Sequence, residues 1–147
     1  MSSITLDQAN RLIDAVFAEA VQRGLPALAA AVLDSGGHLK AMKRQDGLSF
    51  LRADICQAKA WAALAMGVDS RQLADRYVQD DLQRGFIGAL NAMTDGRLVA
   101  LPGGVRIADA AGQVIGALGV AGAPSDDDEA CARHAITAVG LHTVSRS

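Results

Sequence analysis

Five polar side chains lie where strands and helices are expected to begin or end, and their types could carry chemistry: Asp34, His38, Arg44, Asp46 and Lys59. The two cations could bind a carboxylate through charge-assisted hydrogen bonds. An imidazole titrates near neutral pH, so His38, or else Asp46, could move a proton in a catalytic reaction. This set is typical of a site for a small anionic molecule. A structural role is also open, because a polar residue such as His38 directly after a turn can cap the turn or face solvent.

Glycines form the second part of the candidate site. Gly103 and Gly104 follow a proline, and Gly119 lies in a run rich in β-branched residues. A missing side chain in a strand usually marks the close approach of another backbone or of a ligand. The turns at 34–37 and 102–104 must lie at ends of the sheet. We therefore expect the five polar side chains to converge with the Gly103-Gly104 backbone on one cleft, with Gly119 as a further ligand-binding position.

A predicted helix from about Phe50 to Met66 carries one more cation. Arg52, Cys56 and Lys59 fall at positions i, i+4 and i+7, so they share one side of this helix. Two cations on that side could reach an anionic ligand near the sheet edge. The alternative is a solvated face on which Arg52 pairs with a nearby carboxylate. The side expected to pack on the sheet carries Leu, Ile and three Ala at 51, 55, 58, 62 and 65.

The composition and the missing motifs exclude several classes of function. The formal net charge is −2 and 20% of the 147 residues are charged, so neither nucleic acid nor an anionic membrane surface is expected as a partner. Nucleotide-binding glycine loops, the H-E-x-x-H zinc motif and C-x-x-C pairs are absent from the sequence. No apolar run reaches the ~18 residues of a membrane span, and the N-terminus lacks a signal-peptide pattern. These features predict a cytoplasmic protein in which Cys56 and Cys131 are buried and reduced.

The elements that must position the candidate residues are helices and two hairpins. A capping box at Thr5–Gln8 begins a helix that ends near Gly24. The predicted hairpins pair Ala27–Leu33 with His38–Lys43 and Val105–Asp109 with Val114–Val120. Further helices are expected at about 50–66, 70–77, 82–93 and 126–144, with a short strand at 98–101. Hairpins imply an antiparallel sheet with helices packed against it, which is an α+β fold in a single domain spanning residues 1–147.

Several motifs in the same order resemble the GlcG/HbpS family, also called the DUF336 or haem-degrading-domain family. They read AAAVLDSGGHLKAMKRQDG, PGGVRI, GQVIGALGVAG and DDDEACA, and the resemblance extends from about Ile4 to about Leu141. It implies a profilin-like α/β sandwich with an antiparallel sheet of about five strands. It also implies that the motif residues line a cleft between the sheet and the helices, and that the chain assembles into a homo-oligomer such as a hexamer or an octamer.

The resemblance further implies haem as a ligand of some family members, and haem requires an axial donor and an apolar pocket. His38 and His134 are the candidate axial ligands, with His142, Cys56, Cys131 and the methionines as further donors. His134 and His142 fall eight residues apart on the predicted last helix, so they do not share one face. Each could instead be an ordinary surface histidine. The sequence has no C-x-x-C-H attachment site, so any bound haem would be exchangeable.

Two functions from different classes follow from these observations. The first is a small-molecule-binding protein for haem or a small carboxylate metabolite, accessory to a catabolic operon or acting as a sensor. The second is a cofactor-independent lyase, isomerase or hydratase, in which His38 or Asp46 moves a proton while Arg44 and Lys59 hold the anionic substrate. Self-association is expected in either case, because Trp61 and the glycines at 85 and 88 suggest surfaces made for close contact.

Overall fold

The computed structural model describes residues 2–144, which form five helices and five strands. The helices are α1 Leu6–Gln22, α2 Leu51–Met66, α3 Ser70–Tyr77, α4 Asp81–Met93 and α5 Ser125–Ala138. The strands are β1 Ala29–Asp34, β2 Leu39–Arg44, β3 Gly104–Ala108, β4 Val114–Ala121 and β5 His142–Thr143. Within this part of the chain, no helix is long and apolar enough to cross a membrane.

The strands form one antiparallel sheet in the order β2-β1-β4-β3-β5. Both predicted hairpins are confirmed: Ala30 of β1 pairs with Lys43 of β2, and Val105 of β3 pairs with Leu118 of β4. Short turns join the strands of each hairpin, and such turns permit only antiparallel pairing. The α+β fold expected from the sequence is therefore present.

Helices cover both faces of the sheet, and the strand side chains alternate between them. Val32 of β1 and Leu118 of β4 belong to a core that includes residues of α1 and α5, whereas Ala31 packs with Cys56 of α2 on the other face. The capping box predicted at the start of α1 is formed, with Thr5 Oγ1 accepting the backbone N–H of Gln8 at 3.1 Å. The sheet is thus enclosed between α1 and α5 on one face and α2 on the other.

The backbone of α2 lies directly on the sheet. A Cβ at Gly119 would collide with the carbonyl oxygen of Cys56, and a Cβ at Gly104 would collide with that of Lys59. The sequence indicated that a backbone or a ligand approaches these glycines. At these two positions, the missing side chains make room for the backbone of a helix. This close packing fixes the height of every α2 side chain above the sheet.

The sequence predicted the packing side of α2 only in part, since Ala62 of the predicted side is buried but other residues of that side are not. The buried residues are Cys56, Lys59, Ala60, Ala62 and Ala63. On the side predicted to pack, Leu51 and Ala65 are exposed. Alanine occurs all around this helix, so its apolar pattern does not select one face. The glycines beneath α2 select it instead, because they provide the space that its backbone occupies.

The predicted strand at 98–101 is absent from the structure. The backbone N–H of Leu98 donates to Asn91 Oδ1 at 3.0 Å instead of to a strand. The side chain of Leu98 is buried in a cluster with residues of α2 and α3. Local side-chain hydrogen bonding thus competes with sheet pairing in this segment.

The last helix is shorter than predicted. It ends at Ala138 rather than near Val144, because Gly140 adopts a φ of +82°, a left-handed conformation that terminates helices. The chain then reverses, and β5 pairs with β3 at the edge of the sheet. His142 consequently lies on a strand, and not on the helix that carries His134.

Candidate functional site: the cleft beside Trp61

The turn between β1 and β2 is built around the carboxylate of Asp34. Asp34 Oδ1 accepts the backbone N–H groups of Gly36 and His38, each at 3.0 Å. These hydrogen bonds, above all the one from His38, hold the pKa of Asp34 below its ordinary value. Gly37 completes the turn with a φ of +82°, which favours glycine. The sequence Asp-Ser-Gly-Gly-His therefore folds into a fixed turn that presents His38.

The imidazole of His38 is directed by this turn. Its Nδ1 lies 3.6 Å from Asp34 Oδ1, and the side chain is 83% exposed. The same ring edge packs over Gly36, where an added Cβ would lie 3.1 Å from Nδ1. With Nδ1 facing the carboxylate, Nε2 on the other side of the ring is the nitrogen available to a ligand.

His38 lines a cleft between the β1–β2 turn, α2 and the loop after α4. The cleft has a volume of about 490 Å³, which lies in the range of small-molecule sites. Its lining residues are Leu33, Gly37, His38, Leu39, Asp54, Gln57, Ala58, Trp61, Gly96 and Arg97. The hairpin turn, one side of α2 and a loop therefore contribute jointly to one concave surface.

Trp61 lies between the turn and Arg97. The guanidinium carbon of Arg97 is 4.0 Å from the centroid of the indole ring, within the distance of a cation–π interaction. On the turn side, a Cβ at Gly37 would lie 3.5 Å from the indole Cδ1 and Nε1. The turn therefore approaches the edge of the indole, and the ring is held between backbone and cation.

The cleft combines apolar surface with a few polar groups. Trp61, Leu33 and Ala58 contribute apolar atoms, and Arg97 and Asp54 contribute opposite charges. Within residues 2–144, no three metal-ligating side chains of His, Cys, Asp or Glu form a cluster. The arrangement can hold a small organic molecule by apolar contact, with one imidazole donor and one guanidinium to orient it.

Arg44 and Asp46 lie at the opposite end of the first hairpin. Arg44 pairs with Ala29, which places it about 17 Å along the strands from Asp34 at ~3.3 Å per residue. Asp46 lines a separate depression of about 270 Å³ beside the end of α1. The expectation that these residues converge with His38 on one cleft is therefore wrong, because the two ends of a hairpin are separated by the length of its strands.

Lys59 lies between α2 and the sheet, not in the cleft. Its Nζ donates to Asp128 Oδ2 and to the Val120 carbonyl oxygen, both at 3.0 Å. The side chains of Lys59 and Asp128 are 2% and 1% exposed. Gly103 accommodates the ammonium group, since a Cβ there would lie 3.0 Å from Nζ. Gly103 and Gly104 thus admit a buried ion pair and the backbone of α2.

The predicted stripe of cations on α2 is divided by burial. Arg52 is exposed in the first turn of the helix, whereas Cys56 and Lys59 face the sheet. Desolvation raises the pKa of the Cys56 thiol to about 12. Cys56 and Cys131 are both free and buried, as the sequence predicted. Cys56 and Lys59 of this stripe therefore pack against the sheet, whereas Arg52 at its start is exposed.

The two other histidines lie away from the cleft. Nε2 of His134, on α5, is 3.5 Å from Glu19 Oε1 of α1, and the His134 side chain is 52% exposed. His142 is on the edge strand β5. Neither residue belongs to the lining of the cleft. Of the two histidines proposed as axial ligands, His38 is therefore the one that faces a cavity.

Comparison with protein families decides the relationship of the chain. The family model described as "Haem degrading protein HbpS-like" matches residues 4–137. The chain belongs to the HbpS-like family. This membership confirms the resemblance that the hairpin and glycine motifs carried in the sequence.

A curated relative of this HbpS-like chain matches it over nearly its whole length, and two solved structures share its fold. It is 29% identical over 136 residues to an uncharacterized 15.0 kDa protein of the dhaT-dhaS intergenic region of Citrobacter freundii, with 92% of each chain covered. The Klebsiella pneumoniae DUF336 protein ORFY aligns at a TM-score of 0.84 and 26% identity, over 95% of this chain and 92% of that one. PduOC, solved as a complex with heme, aligns at a TM-score of 0.84 and 24% identity, over 97% and 99% of the two chains.

Part of the cleft of this HbpS-like chain was not predicted from its sequence. Asp54, Gln57, Ala58 and Trp61 fall at i, i+3, i+4 and i+7, so their shared side of α2 could have been found from spacing alone. Trp61 was instead interpreted as a surface for self-association. Arg97 carries no local signal, because its place in the cleft depends on how the loop after α4 folds back towards α2.

Proposed function

We propose that this HbpS-like protein binds haem in the cleft beside Trp61, where Nε2 of His38 would hold the iron. The observation that carries the proposal is the position of His38, which lines the cleft while His134 and His142 do not. An imidazole nitrogen facing an apolar cavity is a common way of holding haem iron.

The residues of the cleft fit haem in three respects. His38 supplies a nitrogen donor, and Asp34 lies 3.6 Å behind its Nδ1, as carboxylates commonly do behind ligating imidazoles. Trp61 and Leu33 supply apolar surface for a flat ring system, and Arg97 supplies a cation for a propionate. Bound haem would supply a redox-active iron, while the protein would hold and orient the group.

The family supports the same class of ligand. The matching family is described as haem-degrading, and PduOC, which shares the fold, was solved as a complex with heme. The chain has no C-x-x-C-H attachment motif, so the haem would bind reversibly. A small carboxylate metabolite could use the Arg97 side of the cleft without His38, and it is the alternative outcome of a ligand titration.

The residues proposed for a cofactor-independent enzyme do not meet in the structure. Arg44 and Asp46 lie at the far end of the hairpin, and Lys59 is paired with Asp128. Of the four residues proposed for that reaction, His38 is the one that lines the cleft. The proposed base and the proposed anion-holding cations are therefore not assembled in one site, so we do not propose this function.

Titration with haemin, followed at the Soret band, tests the proposal. We expect the wild type to shift the haemin spectrum, and the His38→Ala variant to bind haemin at least about tenfold more weakly. His134→Ala is the matched control, since it removes a partly exposed histidine away from the cleft, and it should bind as the wild type does. Equal binding by His38→Ala would refute the assigned donor, and no spectral change with the wild type would refute haem binding.

We propose in addition that the protein forms a homo-oligomer through α4, with a hexamer or an octamer as the expected form. Leu82, Phe86 and Met93 lie along one side of α4 and are 77%, 45% and 73% exposed. An exposed apolar strip of this kind is typical of a contact surface. A second copy of the chain is the proposed partner.

We propose that the protein is cytoplasmic, because buried thiols such as Cys56 and Cys131 remain reduced in that compartment. Its net charge of −2 gives no reason to propose nucleic acid or an anionic membrane as a partner. The gene of the Citrobacter freundii relative lies between dhaT and dhaS, which supports a role accessory to an operon. Deletion of the gene and growth on the substrate of the surrounding operon would test that role.

A further inference from the structure

Arg97 is held in the cleft by an aromatic ring instead of a carboxylate. Its guanidinium carbon lies 4.0 Å from the centroid of the Trp61 ring. Within residues 2–144, no carboxylate lies within 4.0 Å of its nitrogen atoms, whereas Arg71, Arg106 and Arg133 all pair with acidic side chains. Asp54 lines the same cleft but does not pair with Arg97. The charge of Arg97 is therefore not neutralised by a neighbouring acid.

The backbone fixes Arg97 in this position. Asp95 and Gly96 adopt φ values of +57° and +76°, which turn the chain sharply after α4. On the other side, the N–H of Leu98 donates to Asn91 Oδ1 at 3.0 Å, and the Leu98 side chain is buried. Arg97 thus projects from a short segment that is anchored on both sides, which reduces the entropy lost when a ligand binds.

Stacking on the indole leaves the hydrogen-bonding capacity of the guanidinium intact. A guanidinium carbon 4.0 Å from the ring centroid allows the group to lie flat on the indole, and in that arrangement the N–H donors, which lie in the guanidinium plane, remain free. A carboxylate can therefore approach the edge of the guanidinium and accept two parallel hydrogen bonds while the stacking persists. A lysine at this position could not do both.

We infer that Arg97, stacked on Trp61, is the residue that recognises a carboxylate of the ligand and so determines the class of molecule that the cleft accepts. The inference rests on the proposed function of the cleft. Asp54, on the α2 wall, disfavours a second anionic group near it, because like charges repel in a partly enclosed site. The cleft is thus selective for a flat apolar ligand that presents a carboxylate to one side.

The test compares haemin with haemin dimethyl ester, which lacks free carboxylates, on the wild type and the Arg97→Gln and Arg97→Lys variants. We expect Arg97→Gln to bind haemin about tenfold more weakly, because a charge-assisted hydrogen bond in a partly exposed site is lost. Arg97→Lys should retain part of the haemin affinity. For the dimethyl ester we expect equal binding by all three proteins. Equal haemin binding by Arg97→Gln and the wild type would overturn the inference while leaving the haem proposal intact.

A second arginine–aromatic pair provides the control. Arg84 lies 5.5 Å from the centroid of Tyr77 and outside the cleft, so Arg84→Gln removes a comparable exposed interaction and should bind haemin as the wild type does. Weaker binding by Arg84→Gln equal to that of Arg97→Gln would mean that net charge, not Arg97 itself, attracts the ligand. That outcome also overturns the inference.

If haemin does not bind and the haem proposal fails, a second pair of ligands tests carboxylate recognition by Arg97. Trp61 is the single tryptophan of the chain, so intrinsic fluorescence reports directly on the cleft. Benzoate should change the fluorescence of the wild type, benzamide should change it much less, and Arg97→Gln should abolish the difference. An equal response to benzoate and benzamide, or no response to either, would overturn carboxylate recognition by Arg97.

Discussion

Lys59 and Asp128 show how burial changes the role of a charged residue. The sequence predicted Lys59 as a ligand-binding cation, but its ammonium is enclosed with the Asp128 carboxylate at 3.0 Å. Burial raises the pKa of Asp128, and Lys59 opposes that shift. Asp128 Oδ1 also accepts the N–H of Ala123 at 3.1 Å. The pair therefore joins α2 to the start of α5, and each charge is tolerated because of the other.

Replacing Lys59 with methionine should destabilise the protein strongly at pH 7. Methionine keeps most of the volume but leaves the Asp128 carboxylate buried without its cation, and such a loss costs about 3–5 kcal/mol. Urea unfolding gives the free energy directly. Arg52→Met is the control on the same helix, where an exposed side chain is lost and the change should stay within about 0.5 kcal/mol. Equal stability of the Lys59→Met variant and the wild type would contradict the buried pair.

The destabilisation of the Lys59→Met variant should depend on pH in a defined direction. Burial raises the pKa of Asp128 in the folded state, and removal of the lysine raises it further. A carboxyl group with a raised folded pKa favours folding below its unfolded pKa and loses that contribution as the pH rises through the folded pKa. The stability difference from the wild type should therefore shrink when the pH falls from 7 towards about 4. A difference that grows on acidification would be inconsistent with this pKa shift.

The two cysteines should be unreactive in the folded protein. Burial raises the pKa of Cys56 to about 12 and also raises that of Cys131, so neither is a thiolate at pH 8, and neither is exposed. Reaction with Ellman's reagent should be slow in buffer and should release two equivalents rapidly in denaturant. Rapid reaction of either thiol in buffer would show that α2 or α5 opens readily.

Among the helices and strands, both hairpins could be predicted from the sequence, whereas the side of α2 that packs on the sheet could be predicted only in part. Apolar runs joined by short glycine-containing turns fix strand pairs locally, so both hairpins follow from short stretches of sequence. The packing side of α2 depends on residues far away in the chain, namely the glycines at 104 and 119 beneath it. The end of α5 was missed for a simpler reason, since Gly140 is a typical helix terminator that the apolar pattern around it obscured.

Adding one methyl group at Gly119 should test the contact between α2 and the sheet. The Cβ of Gly119→Ala would collide with the Cys56 carbonyl oxygen, and overpacking of this kind costs about 1–3 kcal/mol. Gly88→Ala is a matched substitution on the exposed side of α4, where a Cβ meets no atom within 4 Å. It should stabilise the helix by up to about 1 kcal/mol. Thermal unfolding of both variants measures the contrast, and a neutral Gly119→Ala would mean that α2 sits higher above the sheet.

In the whole molecule, the residues that the sequence grouped into one candidate site lie in different places. Asp34 and His38 meet because they belong to one local turn. Arg44, Asp46 and Lys59 were grouped with them on the assumption that all turns and strand ends gather at one place. The two ends of a sheet are separated by the length of its strands, and its two faces by the alternation of side chains. Both depend on the strand register, which is a property of the folded molecule.

The proposed assembly is testable through α4. Light scattering on the wild type should give a multiple of the 15.2 kDa monomer mass, and Phe86→Glu, which places a charge in the exposed apolar strip, should lower that mass. Val21→Glu places the same charge on an exposed apolar residue of α1, away from α4, and should leave the mass unchanged. A mass of about 15 kDa for the wild type at micromolar concentration would contradict self-association.

Chemical rescue of His38 tests whether this residue holds haem in the cleft. We expect the haemin complex of His38→Gly to lose the wild-type absorption spectrum, and added imidazole to restore it by occupying the space of the missing side chain. His134→Gly should keep the wild-type spectrum with or without imidazole. A His38→Gly complex that shows the wild-type spectrum without imidazole would contradict haem binding by His38, because the iron would then be held by another residue.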